Sequence, residues 1–162
     1  MNLIIIRHAD AGDRNQWPGD DDERPLSDLG QRQATALGAA LKTRGVVLNA
    51  VVSSPLVRTR QTAEGVLTGF GTAMEIQFSD LLAPAELRRK KLAKHLAGLG
   101  AETIAVVGHD PDVPAFLGWL LGVDPEHVHL QKGAAALVQF EDEPGKGDGT
   151  LGWLITPDWY LN

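Results

Sequence analysis

The chain has 162 residues, 43% apolar and 22% charged, with a net charge of −6 and no cysteine. Its length suits one domain, spanning residues 1–162, that buries a core of its own. The acidic balance argues against nucleic-acid or anionic-membrane partners, and the lack of cysteine excludes disulfides, thiolate catalysis and Cys-based metal centres.

Residues 2–6, NLIII, predict a buried strand that is short, β-branched and apolar on both faces. The run Leu3 to Ile6 is too short for a signal-peptide core, and no stretch reaches the length of a membrane span, so a cytoplasmic address is expected. A polar loop follows from Ala9 to Pro25. Ser27 is placed to cap a helix, and Ala34, Leu37 and Leu41 give Gln31 to Thr43 a helical period. Gly45 closes it.

NAVVS, 49–53, predicts the second strand, and Pro55 can start a helix running to about Leu67. MEIQF, 74–78, alternates like a third strand. Residues 85–97 predict a helix with a basic side, RRKK. TIAVV, 103–107, is apolar throughout and predicts the fourth strand. Gly108-His109-Asp110-Pro111 then turns into an apolar helix, Val113 to Leu121. Segments 134–140 and 151–156 predict two strands joined by EDEPGKGDG.

This alternation predicts an α/β three-layer sandwich: a mostly parallel sheet, helices on both faces and a C-terminal antiparallel hairpin at one edge. Ligands of such sheets bind beyond the carboxyl ends of the strands. Three strand ends here carry chemistry. The first ends in Arg7-His8, the second in Ser53-Ser54-Pro55 with Arg58 in the next helical turn, and the fourth in Gly108-His109. Two permanent cations and two imidazoles in one crevice suit a phosphoryl group. The helix start beside Arg58 adds backbone N–H groups. A histidine among cations stays neutral near pH 7 and can attack phosphorus. The second histidine, if protonated, can hydrogen-bond the phosphoryl oxygens.

At these residues the sequence resembles the histidine phosphatase (phosphoglycerate mutase-like) superfamily. RHADA resembles its Arg-His-Gly motif, with Ala9 in the glycine position. SSPLVRTRQTA resembles Ser-Pro-x-x-Arg-x-x-Gln-Thr-Ala, which places the family arginine at Arg58 and not at Arg60. VVGHDP resembles the Gly-His motif, and DDDERPLSDLGQRQA resembles the Arg-Pro-Leu-Ser/Thr stretch. With the short length, these motifs point to the SixA-like phosphohistidine phosphatases. The resemblance implies His8 as nucleophile, Arg7, Arg58 and His109 as phosphate ligands, and no metal or organic cofactor. It implies as substrate a phosphohistidine-bearing protein such as a phosphotransfer domain, with a small phosphomonoester as the alternative. A weak phosphate-binding module and a metal-dependent hydrolase are the rivals from other classes.

Relatives outside the SixA-like branch carry a glutamate general acid after the third strand. SDLLAPAELRR offers Asp80 and Glu86 there, without a motif. Asp110 is the third candidate: it can cap the helix that Pro111 begins, donate a proton, or do both. Its His-Asp pair resembles the proton-donor motif of the acid-phosphatase branch. Other residues invite plainer readings. His127 and His129 have metal-ligand spacing but no third partner. His95 and Arg88 to Lys91 read as a solvated helix face, or as a dock for an acidic partner. Asp20 to Glu23 reads as a polar loop near the site, Lys132 as solvated or at the site rim, and Trp119, Trp153 and Trp159 as core or edge packing.

Overall fold

The computed structural model describes residues 1–161. Its strands are β1 (Asn2–Arg7), β2 (Ala50–Ser53), β3 (Ile76–Phe78), β4 (Thr103–Gly108), β5 (Ala135–Gln139) and β6 (Thr150–Ile155). The α-helices are α1 (Asp28–Thr43), α2 (Val57–Phe70), α3 (Arg89–Ala97) and α4 (Asp112–Leu121). The six strands form one sheet in the order β3-β2-β4-β1-β5-β6. The first four run parallel, and β5 and β6 close the edge as an antiparallel pair, which is the α/β arrangement expected.

β1 is apolar at four consecutive positions because both its faces are covered. Leu3 and Ile5 join Val52, Ile104 and Val106 under α3 and α4. Ile4 and Ile6 join Val51, Ala105 and Val107 under α1 and α2. The helices of the second layer approach closely. A Cβ on Gly38 of α1 would collide with the Val66 carbonyl of α2, so only glycine lets α2, the carrier of Arg58, sit where it does.

Several boundaries move from the expected ones. Ser27 caps α1 as expected, its hydroxyl accepting from Gly30 N–H at 3.1 Å. α2 begins two residues after Pro55 and continues to Phe70, where Gly71 ends it in the left-handed conformation. β3 has only the three residues that find partners on the short edge of β2. The helix expected at 85–97 starts only at Arg89. Ala85 takes φ +64°, outside helical space, and its N–H is held by the Asp112 carboxylate at 2.8 Å. Trp119 and Trp153 pack against the two cores, but Trp159 is exposed rather than packed.

Candidate active site

The register explains why the three motif-bearing ends meet. β1 lies beside β4, with Arg7 opposite Gly108, and β4 lies beside β2, with Val107 opposite Ser53. Antiparallel β5 begins on the other side of Ile6. The turn before it clasps the end of β1: Gly133 N–H donates to the carbonyls of Arg7 and His8, at 3.2 and 3.0 Å. Gly108 is required at the end of β4, because a Cβ there would press on Val113.

Arg7, His8, Arg58, His109 and Asp110 line one hollow of about 390 Å³ at this edge, so the sequence-predicted residues are brought together. His8 is buried. Its Nδ1 lies 2.8 Å from the Ala9 carbonyl, which can only accept, so Nδ1 carries the proton and Nε2 holds the lone pair. Burial lowers its pKa to about 4. The Ala9 carbonyl opposes that shift, and the charges of Arg58, Arg7 and Arg24 reinforce it.

The His109 ring stands 5.4 Å from that of His8, centroid to centroid, tilted by 58°. Its Nε2 is 2.9 Å from Ser54 Oγ, and Nδ1 is buried with no partner among the described residues. Burial, then the neighbouring His8 and Arg58, lower its pKa to about 3. His109 is therefore neutral at pH 7 in this arrangement, not protonated as the sequence reading allowed. Ser54 Oγ also accepts from Leu56 N–H at 3.4 Å, tying the start of α2 to His109.

Arg58 is buried and lines the hollow, whereas Arg60 points outward to Glu64. Arg58 Nη1 donates to the Asp21 carbonyl at 2.7 Å, and Nη2 lies 3.3 Å from the Asp21 carboxylate. Arg7 Nη1 donates to the Leu130 carbonyl at 2.7 Å. The Nε atoms of both arginines are buried without partners among the described residues. Three unpaired nitrogens, from Arg7, Arg58 and His109, thus belong to a single hollow. Two of them are donors by chemistry, and buried donors of this kind call for an acceptor.

The three candidate acids separate. Asp110 lines the hollow, 3.7 Å from Arg7 Nη2. It does not cap α4: Pro111 holds the cap position, with no side-chain cap bond. Asp80 and Glu86 are exposed and line neither hollow at this edge.

The sequence reading placed Ser54 at a strand end and Asp21 in a loop near the site without assigning either a contact, and it gave Arg24 no role. Asp21 lies in a single 3-10 turn (Asp21–Glu23) and gathers three arginines: Arg24 Nε at 2.8 Å, Arg58 and, at 3.6 Å, Arg14. Burial pulls the Asp21 carboxyl upward, but the Arg24 hydrogen bond and the charges of Arg58, Arg24 and Arg14 outweigh it and hold the pKa below the ordinary value. Lys132 reaches the rim and pairs with Asp10 at 2.9 Å. Asp10 also accepts from Ser27 Oγ at 2.6 Å and Gly12 N–H at 3.1 Å. A second hollow, of about 540 Å³, opens beside the first, lined by Arg7, His8, Gly12, Asp13, Arg14, Arg24 and Lys132.

Elsewhere, His127 and His129 are exposed, and no cluster of three or more metal-ligating side chains occurs among the described residues. Among the described residues no helix is long and apolar enough to cross a membrane.

Comparison with known proteins agrees with this geometry. Residues 3–84 match the family described as histidine phosphatase superfamily, branch 1. The 8-oxo-(d)GTP phosphatase of Mycolicibacterium smegmatis is 39% identical over 147 residues, which is 86% of this chain but 44% of that protein. The protein histidine phosphatase SixA, solved in complex with tungstate, superposes with a TM-score of 0.85 at 26% identity, over 98% of both chains. A Nakamurella multipartitia protein carrying the SixA name gives 0.77 at 28% identity, over 96% of this chain and 95% of that one. The family match over half of the chain, and the SixA neighbours along its whole length, establish that the chain belongs to the histidine phosphatase superfamily, in its SixA-like branch, and is a hydrolase.

Proposed function

We propose that the chain is a phosphatase that works through a covalent phosphohistidine on His8. The observation that carries this reading is the hydrogen bond from His8 Nδ1–H to the Ala9 carbonyl. It fixes the tautomer and leaves Nε2 as an unprotonated nucleophile at neutral pH. Nε2 attacks phosphorus, the P–N bond forms, and the bond to the leaving group breaks with its electron pair. Water then attacks the phosphohistidine, releasing phosphate and restoring the imidazole.

Arg7 and Arg58 meet the equatorial oxygens with fixed forks of N–H donors and neutralise charge that builds there. His109 contributes through Nδ1. When Ser54 O–H donates to Nε2, the neutral ring carries its proton on Nδ1 and donates without becoming an imidazolium. The tungstate bound by the SixA relative is a tetrahedral oxyanion of the kind this cradle suits.

The substrate we propose is a phosphohistidine-bearing protein, such as a phosphotransfer domain. Imidazole leaves phosphorus without a strong acid, and of Asp80, Glu86 and Asp110 it is Asp110, held beside Arg7, that lines the hollow. The covering segment is short: Pro84 lines the hollow, and the exposed cations Arg88 to Lys91 follow after Ala85, Glu86 and Leu87. A small phosphomonoester or nucleotide is the second reading, supported by the match to the mycobacterial 8-oxo-(d)GTP phosphatase. A panel assay separates them. Phosphohistidine protein, free phosphohistidine and common phosphomonoesters are compared at equal concentration, and the protein substrate is expected to give the highest kcat/KM. A sugar phosphate or nucleotide outperforming every phosphohistidine protein would overturn the protein reading.

A further inference from the structure

We propose that the second hollow, between Arg14, Arg24 and Lys132, is an anion subsite that accepts the second phosphate of a phosphoric anhydride, so that pyrophosphate-type compounds are additional substrates. The inference rests on the covalent-histidine reading of the neighbouring hollow and goes beyond it.

Charge is partitioned between the two spaces. The inner hollow is lined by Asp20, Asp21, Asp22 and Asp110 as well as by its arginines and histidines. The outer one has Arg7, Arg14, Arg24 and Lys132 against a single carboxylate, Asp13. Arg7, His8, Arg14 and Arg24 line both, so the spaces are continuous at the proposed nucleophile. A substrate carrying two linked phosphates can therefore place one in each.

The cations are held in place with donors in reserve. Arg24 is buried, and its Nε and Nη1 engage Asp21 and the carbonyls of Ala11 and Gly12. Its Nη2 makes no hydrogen bond among the described residues. Lys132 spends one N–H on Asp10, which is itself fixed by Ser27 and Gly12, and keeps two. A buried, oriented guanidinium and a tethered ammonium are costly to build for a surface without a ligand.

The chemistry fits the same economy of acids. In the anhydride, His8 Nε2 attacks the terminal phosphorus, the P–N bond forms, and the bond to the bridging oxygen breaks. The electron pair goes to that oxygen, which departs as part of the second phosphate. Water then cleaves the P–N bond, and the net reaction is anhydride plus water giving two phosphates. The departing phosphate needs compensating positive charge more than a proton donor, and the outer cations supply it. An imidazole leaving group makes no such demand.

The test measures inorganic pyrophosphate, ADP, AMP and an aryl phosphate on the intact protein in the presence of a chelator. Pyrophosphate and ADP should exceed AMP in kcat/KM by about tenfold or more. Lys132→Gln and Arg14→Gln should each lower the ratio of anhydride to aryl-phosphate kcat/KM by about tenfold, mainly through KM. If Lys132→Gln melts early because Asp10 loses its partner, Arg14→Gln decides, since that side chain is largely exposed. Anhydrides no better than AMP, or variants that move both substrates alike, would overturn the subsite. Trapping by rapid acid-free denaturation during turnover of the aryl phosphate is run alongside. No phosphoenzyme means the covalent reading has failed; a phosphoenzyme with indifference to anhydrides means only the subsite has.

Discussion

Asp21 grips Arg58 twice, through its backbone carbonyl at 2.7 Å from Nη1 and through its carboxylate at 3.3 Å from Nη2. The first contact orients the guanidinium whatever the side chain is. The second places a negative charge where the proposed phosphoryl group brings its own. Asp21→Asn keeps the first and removes the charge of the second. Inorganic phosphate should then inhibit about tenfold more tightly, and turnover should slow as product release becomes limiting. Steady-state product inhibition checks this. Weaker phosphate inhibition would show that the carboxylate, and not the carbonyl, orients Arg58.

The two histidines set a pH dependence. Their pKa values are lowered to about 4 for His8 and about 3 for His109, against 6.5 in an unfolded chain. Between these values the unfolded chain binds more protons, so stability rises with pH up to about 6.5 and is lost as pH falls toward 4 and 3. His8 alone contributes on the order of 3 kcal/mol above that window. Denaturant unfolding from pH 4 to 7 should show the slope, and His8→Asn should flatten it. A stability that is level across this range would contradict the burial argument.

Asp110 lines the hollow and pairs with Arg7, so its proposed role as proton donor can be separated from a purely electrostatic one. Asp110→Asn should slow an alkyl phosphate more than an aryl phosphate, by about tenfold or more, because only the alkoxide needs a proton to leave. Equal loss on both would assign Asp110 to holding Arg7 alone.

Much of this arrangement is legible in the sequence because it is local. The apolar run of β1, the helical period of α1 and the Gly-His turn each report on a few consecutive residues. Once the alternation implies a parallel sheet, the motifs at strand ends must share an edge. Asp21, Arg24, Ser54 and Lys132 escape that logic. Their partners, Arg58, the Ala11 carbonyl, His109 and Asp10, are named by tertiary contact and not by spacing. Asp20 to Glu23 reads as a solvated charge run until Arg24 and Arg58 are seen turned toward it. The start of α3 is hidden for a similar reason: good helix formers at 85–88 are overruled by the Ala85 turn and its tie to Asp112.

The basic start of α3 makes a two-sided prediction. Arg88 occupies the cap position without a side-chain cap bond, and Arg89, Lys90 and Lys91 fill the first turn. Cations there oppose the helix dipole. Charge reversal at Arg89 and Lys90 should therefore leave the protein as stable or slightly more so in thermal melts. It should also raise KM for a phosphohistidine protein relative to an aryl phosphate by about tenfold, more at low salt than at high. An unchanged ratio would remove this face from substrate docking.

The central claim is that the phosphoryl group passes through His8. The most direct measurement is rapid acid-free denaturation of the enzyme during turnover of an aryl phosphate, followed by peptide mass mapping of the acid-labile phosphoryl group. The expected result is a phosphoryl group on His8 in the wild type, formed and discharged at rates that match turnover. His8→Asn, which keeps the shape of the side chain without a nucleophilic lone pair, should give neither a phosphoenzyme nor turnover. A phosphoryl group on another residue, or turnover that survives His8→Asn, would contradict it.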